Sequence, residues 1–321
     1  MKNILITGIT GQDGLFLTAE ILKKQPDYKI YGVSRKQDSV TFYRKLNSIT
    51  KLETNNIELI STDLTDFEQT KKLLQTIHPS YVYNLSGPSS VYDSLITPEK
   101  SFLTITKIFS NLTNALIGES NFCNFFQASS SEMFGLELNK PLEENTPFVP
   151  NSPYAKAKLE NHNKTQALSK SHNWNIYSGI MFNHESQFRE DSYLFMKIIN
   201  EAIKIKNHQS NALILGSLNY TRDWSYAQDI SEGIFKITTE GSSNAYILGS
   251  GIGHKIKDVV EIVFEAFNLN FEEYLKIDES LIRDGDPEKI VSNPSKIKEE
   301  LNWSTKVSFD ELIEICINSR L

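Results

Sequence analysis

Three glycines directly after a short apolar run constrain the fold of this chain most strongly. Residues 3–7, Asn-Ile-Leu-Ile-Thr, have the composition of a buried strand, and Gly8, Gly11 and Gly14 follow at intervals of three. Glycines at this spacing permit a tight turn and a close approach of the backbone, which places a pyrophosphate at the N-terminus of the next helix. An ordinary strand-to-helix turn has the same composition, but the position inside a strand–helix–strand unit favours dinucleotide binding.

The first half of the chain alternates between apolar runs and stretches with helical spacing. Helical spacing occurs at residues 12–25, 66–77 and 98–118, and the buried-strand runs are residues 3–7, 29–33, 57–61, 81–85 and 125–129. This alternation predicts an α/β protein with a Rossmann-type, doubly wound parallel sheet. Residues 175–181 and 244–248 are expected to extend the sheet.

Beyond residue 180 the pattern becomes irregular. We expect residues 1–180 to form the dinucleotide-binding Rossmann domain, with later strands returning to it. Residues 181–321 are expected to form mainly a smaller C-terminal substrate-binding cap.

Composition excludes several classes of function. The net charge of −7 argues against a general nucleic-acid or anionic-membrane surface. Cys123 and Cys316 lie among apolar residues and predict buried thiols, and the histidine spacing predicts no metal site. No apolar run approaches the roughly 18 residues of a membrane span. A strand already at residue 3 leaves no room for a signal peptide, so we expect a cytoplasmic protein.

The end of the second predicted strand bears on the choice of cofactor. An acidic residue there would bind the ribose 2′-hydroxyl of NAD, but this chain has Ser34, Arg35 and Lys36. A guanidinium binds phosphate oxygens, which favours NADP over NAD, although a solvated basic turn would have the same sequence. Asp63 and Leu64 follow the third strand, where side chains can line the adenine.

A candidate proton-transfer set follows the fifth strand. Tyr154 and Lys158 lie one helical turn apart, where an ammonium can favour the phenolate and hold ribose hydroxyls. Tyr193 and Lys197 have the same spacing, so spacing alone does not identify the catalytic pair. Only Tyr154 follows the strand-end Ser130 across a single loop, which favours Ser130, Tyr154 and Lys158.

Several motifs together resemble the extended short-chain dehydrogenase/reductases, particularly the nucleotide-sugar 4,6-dehydratases, over nearly the whole chain. "GITGQDG", "FNHES" and "RDW" look specifically like the GDP-mannose 4,6-dehydratases. The remaining motifs are "DLTD", "YNL", "QASSSEMFG", "SPYAKAK" and "NPSKIKEELNW".

The resemblance implies roles for residues at three sites. The catalytic residues would be Ser130, Ser131, Glu132, Tyr154 and Lys158, with Glu132 separating dehydratases from reductases and epimerases. The cofactor would contact Gly8, Thr10, Gly11, Gln12, Asp13, Gly14, Arg35, Asp63, Leu64, Leu85, Ser86, Tyr154, Lys158 and His184. The GDP-sugar would contact Ser90, Asn183, Leu194, Lys197, Arg222 and Arg283, so that Lys197 binds phosphate.

The implied reaction is elimination of water from a GDP-hexose through transient hydride transfer to NADP, which gives a 4-keto-6-deoxy sugar. A 4-keto-sugar reductase or epimerase on the same fold is the nearest rival, and would not need Glu132. A catalytically silent NADP-binding regulator is a rival of another class, and it would leave Ser130, Glu132, Tyr154 and Lys158 without a purpose.

The loop after the fourth strand departs from the family pattern. It reads "NLSGPSSV", where the family has "NLAAQSHV", so Pro88 replaces Gln and Ser90 replaces His. Gln187-Phe188 stand where the family has Pro-Arg. Small side chains at 86–90 could admit an N-acetyl group at C2. That favours GDP-N-acetylglucosamine, as in legionaminic acid synthesis, slightly over GDP-mannose.

Residues 34–47 resemble a family segment that reaches the cofactor of a neighbouring subunit. This resemblance implies a homotetramer or homodimer, although a basic surface loop has the same composition.

Overall fold

The computed structural model describes residues 2–35, 38–135, 140–283 and 285–321. The strands are β1 (Asn3–Thr7), β2 (Lys29–Ser34), β3 (Ile57–Ser61), β4 (Tyr81–Asn84), β5 (Asn124–Ser130), β6 (Ile176–Met181), β7 (Asn183–Glu185), β8 (Leu213–Leu215), β9 (Thr221–Arg222), β10 (Trp224–Tyr226), β11 (Ala245–Leu248), β12 (His254–Lys255), β13 (Leu275–Ile277) and β14 (Lys289–Ile290). The helices are α1 (Gln12–Lys24), α2 (Ser39–Ile49), α3 (Phe67–Ile77), α4 (Val91–Ile96), α5 (Pro98–Gly118), α6 (Pro153–His172), α7 (Leu194–Lys206), α8 (Ala227–Glu240), α9 (Ile256–Ala266), α10 (Ser295–Leu301) and α11 (Phe309–Asn318).

A parallel sheet of seven strands organises the molecule, in the order β11-β6-β5-β4-β1-β2-β3. Every neighbouring pair in this sheet runs parallel. The order reverses between β1 and β4, which is the switch point where ligands bind in folds of this kind. The prediction of a doubly wound parallel sheet is confirmed, including its extension by β6 and β11.

Helices cover both faces of the sheet, which explains why its central strands are apolar throughout. One face packs against α1 and α8 through a core that includes Leu15, Ile21 and Ile234. The other face packs against α3 and α5 through residues such as Leu73 and Leu112. Fully burying each such aliphatic side chain contributes about 1.5–3 kcal/mol, so the two faces hold the strand ends in fixed positions.

The chain after β6 forms smaller sheets and a second core. The short sheets are β7–β10, β8–β13 and β12–β9–β14. Helices α7, α9 and α11 surround a separate apolar cluster that includes Phe195, Val260 and Ile313. We propose that this part, residues 181–321 except for strands that return to the main sheet, is the substrate-binding cap.

Two further sequence predictions concern cysteines and residues 34–47. Cys123 and Cys316 are both buried and free. In the segment 34–47, residues from Ser39 onward belong to helix α2, while Lys36 and Gln37 lie outside the described residues. Within the described chain, no helix is long and apolar enough to cross a membrane.

Candidate active site

The turn between β1 and α1 has the backbone geometry that its glycines predict. Gly8 has φ of +71°, a conformation that side chains with a Cβ rarely adopt. A Cβ on Gly14 would lie 2.5 Å from the Cα of Ile9, so a side chain there would force the helix away from the strand. Gly11 is the N-cap of α1, and no side chain in the described chain caps this helix. Its first N–H groups are therefore available to an anion.

Gln12 and Asp13 connect this turn to the segment after β6. The Gln12 amide donates to the His184 carbonyl oxygen at 3.0 Å and accepts from the Ser186 hydroxyl at 2.8 Å. The Asp13 carboxylate lies 3.1 Å from Nε2 of His184. Although burial opposes both charges, this pairing lowers the pKa of Asp13 and raises that of His184. A buried ion pair therefore fixes the predicted cofactor contact His184 beside α1.

The second and third strands end at the predicted adenosine side of the turn. Arg35 directly follows β2 and is exposed, and its charge helps to lower the pKa of Asp63, after hydrogen bonds from Thr65. The Thr10 hydroxyl donates to Ser34 at 3.3 Å, which ties the glycine turn to the end of β2. Leu64 is buried in the core behind α3 and α5. The backbone N–H groups of Leu85 and Ser86 both donate to the Thr7 hydroxyl at 3.2 Å.

A cleft of about 490 Å³ opens at the carboxyl ends of β4, β5 and β6. It brings together every predicted catalytic and substrate-binding residue, along with three further residues that were predicted to contact only the cofactor. These residues are Ser130, Ser131, Glu132, Tyr154, Lys158, Ser90, Asn183, Leu194, Lys197, Arg222, Arg283, Asp13, Leu85 and His184.

Tyr154 and Lys158 reach the cleft from the first turns of α6. The helix starts there because the Ser152 hydroxyl accepts from the N–H of Ala155 and Pro153 occupies the first turn. The Lys158 ammonium donates to the Ala128 carbonyl oxygen at 2.9 Å and lies 5.5 Å from the centroid of the Tyr154 ring. Spacing on one helix therefore brings both groups to the end of β5.

Burial controls the proton affinity of both groups. It raises the pKa of Tyr154, while a hydrogen bond with Ser130 acts in the opposite direction. Burial lowers the pKa of Lys158 to about 8, although the charge of Asp13 partly offsets this effect. Lys158 is thus poised to titrate near neutral pH, as groups at catalytic sites often are.

Ser130 and Glu132 enter the cleft from the end of β5. Ser130 is the N-cap of a short 3₁₀ turn, Ser131–Met133, and its hydroxyl accepts from the N–H of Glu132 at 3.3 Å. The hydroxyl of the neighbouring Ser129 instead bonds to the Ser178 hydroxyl at 2.7 Å. Burial raises the pKa of Glu132, and Arg283 opposes the rise. A carboxylate of raised proton affinity beside a phenol is suited to proton transfer.

Two arginines line the cleft beyond Glu132 and share one carboxylate. An oxygen of Asp286 accepts from Arg222 at 2.9 Å, and its other oxygen accepts from Arg283 at 2.7 Å. The shared partner aligns both guanidinium groups. Two aligned guanidinium groups are well suited to a diphosphate.

The other substrate candidates make local contacts in the described structure. The Lys197 ammonium donates to the Ile214 carbonyl oxygen at 2.8 Å, which places it at the cleft wall near β8. The Ser90 hydroxyl accepts from the N–H of Asp93 at 3.0 Å and caps α4, so part of its bonding capacity is structural. Leu194 begins α7, and Asn183 lies in β7.

Sequence reasoning missed several residues of the cleft wall, and three of them make contacts that shape it. The Nε atom of Arg189 lies 3.1 Å from a carboxylate oxygen of Glu185. Tyr193 contacts Ser89, and Asp286 aligns the two arginines. The spacing of Glu185 and Arg189 by four residues was a visible signal, whereas the contact of Tyr193 depends on how distant segments pack.

Comparisons with known proteins cover nearly the whole chain, including the segments that form the cleft. A family model described as GDP-mannose 4,6 dehydratase matches residues 5–316. The chain belongs to the GDP-mannose 4,6-dehydratase family. GDP-mannose 4,6 dehydratase 2 of Arabidopsis thaliana is 31% identical over 329 residues, which cover 100% of this chain and 87% of the relative. The human GDP-mannose 4,6 dehydratase is 30% identical over 338 residues, covering 98% and 90%. The prediction of an enzyme of the GDP-sugar 4,6-dehydratase type is confirmed at the level of the family.

Solved structures share the fold at lower identity. The dTDP-glucose 4,6-dehydratase of Bacillus anthracis, in complex with NAD, has a TM-score of 0.84 at 18% identity and covers 100% of this chain and 96% of its own. RMD from Pseudomonas aeruginosa, complexed with NADPH, has a TM-score of 0.81 at 17% identity and covers 99% and 98%. At these identities the likeness establishes the fold.

Proposed function

We propose that the protein is a GDP-hexose 4,6-dehydratase that uses NADP. The observation that carries this proposal is the meeting of Glu132 with Ser130, Tyr154 and Lys158 in one cleft, whose far wall holds Arg222 and Arg283. A reductase or epimerase needs no carboxylate at that place. The same cleft thus combines a proton acceptor for a hydroxyl, a second base, and cations for a diphosphate.

The residues of the glycine turn fit a dinucleotide. The uncapped N-terminus of α1 offers N–H groups to a pyrophosphate, and Gly8 and Gly14 allow the tight turn that places it there, since a Cβ would meet the backbone of Leu85 or of Ile9. Lys158 can donate to ribose hydroxyls from its place beside Ala128. Two of the solved structures of this fold were determined with NAD and NADPH, which supports a nicotinamide cofactor.

Tyr154 begins the reaction by accepting the proton of the sugar 4-hydroxyl. The nearby Ser130 hydroxyl partly offsets the raised pKa of this phenol and can orient the same sugar hydroxyl. A charged Lys158 favours the phenolate, because an ammonium near a phenol stabilises the ionised form. A bound nicotinamide cofactor supplies the hydride acceptor for C4 and the hydride donor for C6, so it ends the cycle unchanged.

Glu132 then acts on the 4-keto sugar. The ketone acidifies the C5 proton, which the Glu132 carboxylate removes as hydroxide leaves C6 with proton assistance. Returning a proton to C5 completes a net loss of one water. The raised pKa of Glu132 fits this task, since a stronger base removes a carbon-bound proton more readily.

Arg35 is proposed to read the 2′-phosphate that distinguishes NADP from NAD. Arg35→Ala is expected to weaken binding of NADP by about tenfold or more, while binding of NAD changes little, because only NADP carries the phosphate. Fluorescence titration of both cofactors measures the two dissociation constants. An equal loss for both would show that Arg35 does not contact the 2′-phosphate.

Binding of the cofactor is expected to depend on pH through Lys158. Its pKa of about 8 lies below the ordinary lysine value, so the free protein loses this charge as pH rises through 8. If the anionic cofactor prefers the ammonium, the dissociation constant of NADP stays flat below pH 8 and rises up to about tenfold per pH unit above it. Titration from pH 6.5 to 9.5 tests this, with Lys158→Met as the control that removes the dependence. A flat profile for the unaltered protein would contradict it.

The hexose is proposed to be N-acetylglucosamine, with mannose as the second candidate. Gly87, Ser89 and Ser90 leave the β4–α4 loop small where it lines the cleft. We further propose a homodimeric or homotetrameric, cytoplasmic enzyme whose product can serve legionaminic acid synthesis.

The test is incubation of the purified protein with GDP-N-acetylglucosamine, GDP-mannose and UDP-N-acetylglucosamine, without added NADPH. Mass spectrometry is expected to show loss of one water from a GDP-sugar, fastest for GDP-N-acetylglucosamine. Loss of water from none of them, together with consumption of NADPH by a 4-keto sugar, would establish a reductase instead. Faster dehydration of GDP-mannose would correct the hexose alone.

A further inference from the structure

A hydrogen bond joins the two walls of the cleft at its mouth. The Tyr193 hydroxyl lies 2.7 Å from the Ser89 hydroxyl. Ser89 belongs to the loop between β4 and α4, while Tyr193 immediately precedes α7 in the cap, 104 positions further along the chain. Both residues line the cleft that holds Tyr154 and Glu132. A ligand in the cleft therefore lies beneath or beside this Ser89–Tyr193 bridge.

The aromatic ring of the bridge is held in place from behind. The guanidinium carbon of Arg189 lies 3.6 Å from the centroid of the Tyr193 ring, which is a close cation–π contact. Nε of Arg189 in turn lies 3.1 Å from an oxygen of Glu185, at the end of β7. Contacts thus run without interruption from Ser89 through Tyr193 and Arg189 to Glu185. The Tyr193 side chain is thus held in the cleft wall by contacts on two sides, with Ser89 and with Arg189.

The phosphate-binding and catalytic residues of the cleft determine which edge of a bound hexose lies next to the Ser89–Tyr193 bridge. Arg222 and Arg283 suit the diphosphate, so the sugar's C1 points toward them. Tyr154 acts on the hydroxyl of C4, and Glu132 acts on the proton of C5 as hydroxide leaves C6. The edge that carries C2 and C3 then lies toward the remaining wall, where Ser89 and Tyr193 stand.

We propose that the Ser89–Tyr193 bridge is the specificity determinant that recognises an acylamido substituent at C2 of the hexose. The inference rests on the proposed function and adds to it the two residues that read the sugar. It assigns Tyr193 to the hexose, whereas the neighbouring Leu194 and Lys197 are assigned to the nucleotide.

The hydrogen-bonding capacity of the bridge matches an acylamido group. Each hydroxyl has one donor and two acceptor positions, and their mutual bond uses one donor and one acceptor. The pair thus keeps one O–H for a carbonyl oxygen and acceptor positions for an amide N–H. A plain 2-hydroxyl can also donate and accept, but only through a single oxygen, whereas an acylamido group presents its N–H and its carbonyl oxygen at two separate positions that can meet the two hydroxyls of the bridge. Beside the bridge, Gly87 has φ of +132°, so only glycine is readily accommodated there, and no Cβ reduces the space.

Binding measurements on Tyr193→Phe test the proposal. The substitution keeps the ring and its stacking on Arg189 but removes the bridging hydroxyl. We expect the dissociation constant of GDP-N-acetylglucosamine to rise about three- to tenfold, as for the loss of one hydrogen bond. That of GDP-mannose should rise less than twofold, and that of GDP, which has no hexose, should not change. Ser89→Ala is expected to give the same pattern, and the double variant should lose little more than either single variant.

Tyr220→Phe is the matched control. It removes a tyrosine hydroxyl from the same cleft near Arg222, so any effect should be equal for the two sugars. An equal loss for both sugars in Tyr193→Phe, or no loss for either, would overturn the proposal. So would a wild-type protein that binds GDP-N-acetylglucosamine no more tightly than GDP. These dissociation constants can be measured by titration calorimetry, which does not depend on turnover. Selective binding of GDP-N-acetylglucosamine without loss of water would therefore contradict the proposed dehydratase function but leave the bridge proposal intact.

Discussion

Glu132→Gln is expected to stop loss of water while sparing oxidation at C4. The amide keeps the size of the side chain but cannot accept the C5 proton, so dehydration should fall by about 10²–10⁴-fold. Ser130, Tyr154 and Lys158 stay in place, because the contact to Ser130 is made by the backbone N–H of residue 132. Rapid mixing with a GDP-hexose should then show the absorbance of reduced cofactor rising and persisting.

Glu132→Asp is the accompanying control. It retains the base but shortens its reach, so dehydration should fall less than in Glu132→Gln. Dehydration by Glu132→Gln at the unaltered rate would remove the carboxylate from the mechanism. Loss of C4 oxidation as well would show that Glu132 mainly supports the architecture of the cleft.

Tyr154→Phe is expected to abolish both halves of the reaction. The phenol is the only proton acceptor assigned to the 4-hydroxyl, so loss of about 10²–10⁴-fold should appear already in the formation of reduced cofactor. The ring fills the same space, and a thermal melt should therefore change little. Stopped-flow absorbance and product analysis measure the two halves separately.

Tyr193→Phe distinguishes the two tyrosines that share the Tyr-x-x-x-Lys spacing. It should still form reduced cofactor from a bound GDP-hexose, because Tyr193 hydrogen-bonds to Ser89 and precedes the helix that carries Lys197. If Tyr154→Phe remained active while Tyr193→Phe lost C4 oxidation, the catalytic assignment would move to the second pair.

The sheet was predictable because its central strands are buried on both faces. The run of residues 3–7 has no polar alternation, and the structure places the buried strand β1 at those bounds. The catalytic face was predictable because Tyr154 and Lys158 share a helix face, and a strand end must deliver Ser130 to the same edge of the sheet. Local periodicity and chain order sufficed for these features.

Contacts between distant segments were not predictable in the same way. Asp223 is the middle residue of the "RDW" motif and is fully buried. It accepts hydrogen bonds from Ser250, Gly251 and Ser292. No spacing in the sequence indicates those partners. The capping of α4 by Ser90 was also not anticipated, because helix α4 is short and has no strong periodicity. Such contacts depend on how loops pack once the sheet has formed.

The fate of the hydrogen at C4 shows whether hydride passes from C4 to C6 in this cleft. With a GDP-hexose that carries deuterium at C4, in ordinary water, we expect a product that has lost one water and carries the deuterium at C6. Mass spectrometry of fragments and NMR locate the label. Deuterium that stays at C4 without loss of water, or a dehydrated product whose C6 hydrogens come entirely from solvent, would contradict the proposed transfer from C4 to C6 in this cleft.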